Sequence, residues 1–580
     1  MRRAGLVVIV VLLAELGLAF GQVIPNPPPE SNPHALADAN SQYPSARVCG
    51  ECHPTQFAQW SLSSHAYAAV SPMFNKFEQR INDLARGTIN SFCVRCHATV
   101  GTALGERRDT AWWNRSGAAQ EGITCVTCHR VGEAYSKSNG ARRITPGDIS
   151  EPVFGPFDTT GVLKAISNAQ LYKILVSSDQ PDRPGYTRIH QQAIKSTVIQ
   201  QSELCVTCHQ VQVHAGIKLE TVWEEYRASP AFKEGTTCQD CHMSPVPGQK
   251  VAFTRGPAAV VNGLTVNDDR PVSDHTFVGP GYPISHPGLF PLPLIPSRFT
   301  PQQWLKFDYR AKWGSDEFEN KVAADFKFPP EWQNAADRKE AWGVVVTNLA
   351  RWEDRRKMRI ELLEKGSKLD GPFFTSPLKV GQDFSFNYKL TNLNKGHNLP
   401  SGSLGAQPEL WLNVALIDPD GKRVWESGYV DQYGDFADLQ SRDVRDRKIA
   451  FDSQLFSMGA KFITANVKGT DREMYLPINL DFDQLPFIRP GGTPSSVNNH
   501  PPNVRMEKHS IPPLATRTAS YKVPADKLTK PGTYRLAARI RGRTEPMYFM
   551  DFVFATTDME RNENEWVTDT HQYAVAFEMH

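Results

Sequence analysis

Ten cysteines occur in the 580 residues, and all ten fall into five copies of one pattern. The pairs are Cys49/Cys52, Cys93/Cys96, Cys125/Cys128, Cys205/Cys208 and Cys238/Cys241, and each is followed at once by a histidine: His53, His97, His129, His209 and His242. A bare Cys-x-x-Cys is compatible with a redox dithiol, half a zinc site or, in an exported protein, a disulfide. None of these explains a histidine after every pair. Cys-x-x-Cys-His is the attachment signature of c-type haem. Two thiols add to the two vinyl groups of one porphyrin, so they must lie a short, fixed distance apart. The adjacent histidine then presents its imidazole to the iron as proximal ligand. The spacing therefore predicts five covalent haems c.

Five irons have ten axial positions, and the motif histidines fill half. Outside the motifs, His34, His65, His190, His214, His275 and His286 lie in the same part of the chain. Six candidates for five places make an imidazole on both faces of every iron feasible. His65 follows His53 by twelve residues, which suits a different haem better than the one His53 serves. His214 and His286 are further ligand candidates, and His34 is one for this chain or a neighbouring copy. Methionine also binds haem iron and raises its potential, so Met73 and Met243 enter the count. Met243 directly follows His242, however, and is badly placed to cross that haem. The count bears on function, because a carrier keeps both faces of each iron occupied whereas an enzyme leaves one open.

Length and composition frame these motifs. The formal charge of +2 leaves no strong field for nucleic acid, and an apolar content of 40% is enough for cores. Arg2 and Arg3 precede an apolar run from Leu6 to Phe20, and Ala19 and Gly21 suit cleavage before Gln22, so residues 1–21 read as an export signal. Export to the periplasm or the cell exterior fits haem attachment; a membrane contact is expected only if the signal is retained. Residues 22–45 are a proline-rich leader. The haem region is expected over 46–298, mostly α and irregular, with a helix from Leu219 to Ala228 on which Trp223 and Tyr226 share a face and pack on porphyrin. The connector, 299–369, contains a helix from Ala335 to Lys365, marked by Trp342, Val345, Val346, Leu349 and Trp352. Its second half carries Arg351, Arg355, Arg356, Lys357 and Arg359, read as a solvated basic face or a contact for propionates or an acidic partner.

From 370 to 557 the chain alternates as strands do. Phe384, Phe386, Tyr388 and Leu390 are one such run; Asp420-Gly421 marks a hairpin turn; Tyr534 to Ile540 and Met547 to Phe554 are further strands. An all-β, immunoglobulin-like sandwich is predicted. Met458 to Pro513 reads as a looped insertion and 558–580 as a C-terminal extension. His397, in GHNLPSG, either stabilises its own turn or reaches a haem at the domain boundary.

Three connecting segments add a resemblance covering about half the chain. They are Trp60-x-x-Ser63-x-His65-Ala66, the run from Leu219-Glu220 through Glu225-Tyr226 to Ser229-Pro230, and Asp274-His275-Thr276-Phe277-x-Gly279. With the motifs, they resemble exported multihaem c-type cytochromes, among them the tetrahaem acceptor of hydroxylamine oxidation and the octahaem hydroxylamine oxidoreductase and tetrathionate reductase group. The resemblance implies bis-histidine ligation, closely stacked haems and electron transfer, with His65, His190 and His275 as distal ligands. Pentahaem nitrite reductases replace one motif histidine with lysine, and no Cys-x-x-Cys-Lys occurs here. The expected function is electron transfer through five haems, with redox proteins as partners. The alternatives are a reductase of a small nitrogen or sulfur oxyanion with one open haem, and a self-associating unit of an extracellular haem filament.

Overall fold

The computed structural model describes residues 42–84, 90–132, 140, 142–212, 218–281, 285–402, 408–467, 470–474 and 504–580. The export signal, most of the leader, His34 and His214 lie outside them. Within them no helix is long and apolar enough to cross a membrane.

The haem region is built from short helices joined by turns. Each motif ends in a helical turn: Ala46–Gly50 leads into the first, and Val94–His97, Cys125–His129, Glu203–His209 and Cys238–His242 carry the others. A single helical turn is marginal alone, so its end groups are held by side chains. Ser45 accepts from Arg47 N, and Thr237 and Asp240 cap the fifth turn reciprocally. Two- and three-residue strand pairs, such as Val153–Gly155 with Ala193–Lys195, fill the remainder. Between the fourth and fifth motifs the helix is shorter than expected, Val222–Arg227, because Lys218–Glu220 pairs as a strand with Val211–Gln212.

The connector is an aromatic cluster followed by the long helix. Phe299, Trp304, Phe307, Trp313 and Trp332 are buried together with Ala341 and Val345. The helix spans Ala335–Gly366 and buries Arg338, Ala341, Val345, Asn348, Trp352, Arg355, Arg359 and Leu363, one stripe at alternating steps of three and four. The expectation of a solvated basic face holds for Lys357 and is corrected for Arg355 and Arg359. Arg355 and Arg359 are each 1% exposed. Arg355 donates to Leu62 O at 2.8 Å and Ser64 Oγ at 2.7 Å, and Arg359 to Pro280 O and to Thr568 Oγ1 at 2.6 Å. Arg351 donates to Leu292 O at 3.0 Å and Ala58 O at 3.3 Å. A guanidinium has five donors in a fixed fork, and here the forks bind the orphan carbonyls of an irregular region.

Beyond the helix lie strands β1 (Ser367–Phe374), β2 (Phe384–Asn392), β3 (Glu409–Ile417), β4 (Arg423–Ser427), β5 (Phe456–Ser457), β6 (Ala460–Val467), β7 (Thr470–Met474), β8 (Val504–Lys508), β9 (Thr516–Val523), β10 (Gly532–Arg543) and β11 (Thr568–Met579). They form sheets in the orders β1-β2-β9, β4-β3-β10-β11 with β5 on β3, and β7-β6-β8. The first two share one buried cluster. Phe384, Phe386, Tyr388 and Leu390 from β2 meet Leu410, Leu412, Val414 and Leu416 from β3, all at 0–1% exposure. The region is thus sheet-rich, with two sheets packed on one core.

Three further expectations are corrected. Met547–Phe552 is a helix with Pro546 at its N-cap, not a strand; an apolar run broken only by Asp551 has no period to separate the two. Residues 558–580 are no appendage, since β11 pairs with β10 from Gly532↔Met579 to Gly542↔Thr568. Part of the supposed loop insertion forms the β6, β7 and β8 sheet, while 475–503 lie outside the described residues.

Candidate haem-binding site

All fifteen motif residues line one cavity of about 2220 Å3 in the haem region. Their cysteines are unpaired thiols. Sulfurs of different motifs are near neighbours: Cys125 of Cys49, Cys96 of Cys208 and Cys205 of Cys238. These contacts place the first motif beside the third, the second beside the fourth and the fourth beside the fifth. Glu121 fastens the first pair, since it accepts from Ala46 N at 2.8 Å, Thr124 Oγ1 at 3.3 Å and the Ser45 hydroxyl. Burial pushes its carboxyl up to about 7. Ser202 fastens the last pair, accepting from Cys238 N at 3.1 Å and donating to Tyr226, whose hydroxyl donates to Thr236 O at 2.9 Å. Tyr226 lines the cavity; Trp223 does not, and packs on the Tyr226 ring at 5.6 Å.

The histidines fall into pairs across this cavity. His53 faces His190 with ring centroids 6.5 Å apart and planes 7° from parallel. His129 faces His275 at 6.5 Å, and His209 faces His65 at the same separation. His242 faces His397 at 5.9 Å and 13°. Imidazoles in van der Waals contact would sit closer. A metal–imidazole bond of about 2.0 Å on each side, plus the depth of two five-membered rings, requires a separation of about 6 Å, so each pair has room for one metal ion between its rings.

Hydrogen bonds and burial prepare these rings as ligands. Nδ1 of His53, His97 and His129 donates to the carbonyls of Ala258, Ala68 and Phe154 at 3.0, 3.2 and 2.7 Å. His275 and His397 donate likewise to Ser273 O at 3.0 Å and Asn398 O at 2.9 Å. Fixing the proton on Nδ1 leaves the Nε2 lone pair for a metal. Burial holds His53, His97, His190, His242 and His275 down at about 4 and His65 at about 3, in the neutral form that ligation needs.

His97 differs from the other four. Its ring lies flat against Phe74, at 3.8 Å and 4°, and no second imidazole faces it among the described residues. His286, a ligand candidate from sequence, does not come to the cavity. Its Nε2 donates to Phe307 O at 2.8 Å, its Nδ1 accepts from Gly288 N at 3.0 Å, and its ring packs at 4.9 Å on Tyr309. Both nitrogens are thus committed to the connector, and this expectation is corrected. Met73 is buried with Met547, Phe549 and Met550.

His397 comes from the loop after β2. Asn392, at the end of that strand, is fully buried and donates to His397 O at 3.0 Å and Ile511 O at 2.9 Å. Asn398 N and Ser401 Oγ both donate to Glu225 Oε2, at 3.1 and 2.8 Å. The sheet region thus contributes a histidine to the cavity through a braced loop. Of the two readings open for this residue in the sequence, the structure brings it to the cavity, and the motif GHNLPSG was the one local signal for it.

The family described as "Cytochrome c554 and c-prime" matches residues 48–130, the stretch that holds the first three motifs. No curated protein matches the sequence. Among solved structures, the penta-heme cytochrome c552 from Thermochromatium tepidum is similar at 15% identity and a TM-score of 0.49, over 93% of this chain and 100% of that one. The Pseudomonas fluorescens alkylpurine DNA glycosylase AlkC, bound to DNA with an abasic-site analogue, reaches 9% identity and a TM-score of 0.12 over 43% and 40%. The family match, on the residues that carry the attachment motifs, supports a multihaem c-type cytochrome.

Proposed function

We propose that this chain is an exported electron-transfer protein holding five covalent c-type haems, four of them with an imidazole on each face. The observation that carries the reading is the set of four imidazole pairs, 5.9–6.5 Å apart across one cavity that also receives all ten cysteines. When bound, the haem irons supply the one-electron Fe(III)/Fe(II) couple. The chain's own residues do the rest. The cysteines fix each porphyrin by thioether bonds, and His53/His190, His65/His209, His129/His275 and His242/His397 clamp four irons. Ligands so fixed move little when the charge changes, which suits passage of electrons over turnover. The sulfur contacts between motifs support close packing of neighbouring haems.

The test is a haem count and a spin count on the secreted protein. Pyridine haemochrome and intact mass should give five haems per chain, and paramagnetic resonance should give four low-spin irons. A chain with fewer than five haems, or with no low-spin signal, would overturn the reading.

A second reading is favoured by His97, which has no facing imidazole among the described residues. An iron held there would have a face open to a small ligand, as a reductase of a nitrogen or sulfur oxyanion requires. Adding nitrite, hydroxylamine or tetrathionate separates the two. A shift of one high-spin signal together with turnover supports the reductase, and an unmoved spectrum supports the carrier.

A further inference from the structure

Arg142 is threaded among three of the five motifs. Its Nη2 donates to Cys208 Sγ at 3.3 Å and to Leu204 O at 3.4 Å, and its Nη1 donates to Thr127 O at 3.2 Å. Two residues earlier, Gly140 N donates to Thr207 O at 2.6 Å. Gly140 has φ +70, and a Cβ there would sit 2.9 Å from Cys96 Sγ, so only glycine lets the backbone pass between the second and fourth motifs. The sulfurs of Cys208, Cys128, Cys96 and Cys205, from motifs two, three and four, are the groups whose field the guanidinium feels.

Two facts make this cation unusual. Its Nε is fully buried without a hydrogen-bond partner, and no carboxylate forms an ion pair with it among the described residues. A buried charge ordinarily has a counter-charge. Among the described residues the charged or ionisable groups around it are the cysteine sulfurs, and these would be neutral thioethers once porphyrin is attached. The cysteines would hold each porphyrin by its vinyl edge, and a porphyrin carries its propionates on the opposite edge. Among the described residues the positive charge thus has no carboxylate counter-ion.

We propose that Arg142 sets the electron affinity of the haem sites of motifs two, three and four, as one fixed positive charge on the thioether edge that they share. The proposal rests on the five-haem reading. A unit charge in a low-dielectric interior acts strongly over short distances, and its sign favours the reduced state of each iron. Electrons would then favour these three sites over those of the first and fifth motifs, whose sulfurs are not among the guanidinium's neighbours.

The experiment is a spectroelectrochemical titration of the full-length secreted protein and of Arg142→Gln and Arg142→Lys, after a pyridine haemochrome count. Five haems in the native protein secure the reading on which this rests, and fewer would sink that reading first. In R142Q we expect three of the five one-electron components to lose about tenfold in electron affinity, or 59 mV each, with the other two unmoved. R142K, which keeps the charge, should stay within threefold of native. A fully loaded R142Q with an unchanged titration overturns the proposal, as does a tenfold loss in R142K. If R142Q fails to take up five haems, the R142K result decides.

Discussion

His397→Ala removes the one cavity histidine that, among the described residues, comes from the sheet region. His242 would lose the ring facing it at 5.9 Å, while the five attachment motifs remain intact. The haem count should stay at five, and the low-spin irons should fall from four to three. One fifth of the haem then acquires a high-spin signature, visible in paramagnetic resonance and as a charge-transfer band. A graded version comes from Asn392→Ala. Asn392 donates to His397 O and Ile511 O and accepts from Asn394 N at 2.9 Å. Three hydrogen bonds at about 1 kcal/mol each put the cost near 3 kcal/mol. That biases the loop toward release by about a hundredfold, since 1.36 kcal/mol is a factor of ten. N392A should therefore show a partial, temperature-dependent high-spin fraction that H397A shows in full. The reasoning fails if H397A keeps four low-spin irons and five haems.

Four other perturbations follow from the same structure. His65→Ala should leave five haems attached and convert the iron of the fourth motif to high spin; an unaltered spectrum would remove His65 from the ligands. Gly122→Ala should do so in part, because a Cβ at φ +69 would lie 2.4 Å from His65 O; the check is the same spectrum, with His65 itself unmutated. His286 is held neutral at about 4 by burial, below its unfolded value near 6.5. The unfolded chain therefore binds the extra proton, and stability should fall as pH drops from about 6.5 to 4 and then level off, by at most about 3 kcal/mol; His286→Gln should flatten that part of the Tm-versus-pH curve, and an unchanged curve counts against it. Leu412→Ala, in the fully buried cluster between the two sheets, should cost 2–5 kcal/mol in the unfolding of the sheet region while leaving the haem count at five, measured by calorimetry and haemochrome.

Local pattern carried the attachment sites, the long helix and the β2 and β3 strands, because each depends on spacing within one element. The distal positions divide by a different rule. His65 and His190 lie among the motifs and His275 soon after the last of them, and the structure brings each opposite a motif histidine. His286 lies just as near in sequence, yet Phe307 O and Gly288 N take both its nitrogens. His397 lies far beyond the last motif and arrives through a loop braced by Asn392 and Glu225. Those contacts are tertiary, so no spacing encodes them. Arg355 and Arg359 misled for a related reason: a charge in a helix looks solvated until the carbonyls it serves, from Leu62 and Pro280, are known. The 547–552 helix was hidden because an apolar run with a single polar residue, Asp551, fits either period.

The long helix has a mechanical consequence. Its 32 residues extend about 48 Å at 1.5 Å per residue. Its guanidinium groups grip the first haem segment at Ala58, Leu62 and Ser64 and the last strand at Thr568. It works as a strut pinned at both ends of the chain. Sliding the sheets against the cavity would tear several buried charge-assisted contacts at once. In the proposed carrier, such a brace would resist changes in the gaps between redox centres.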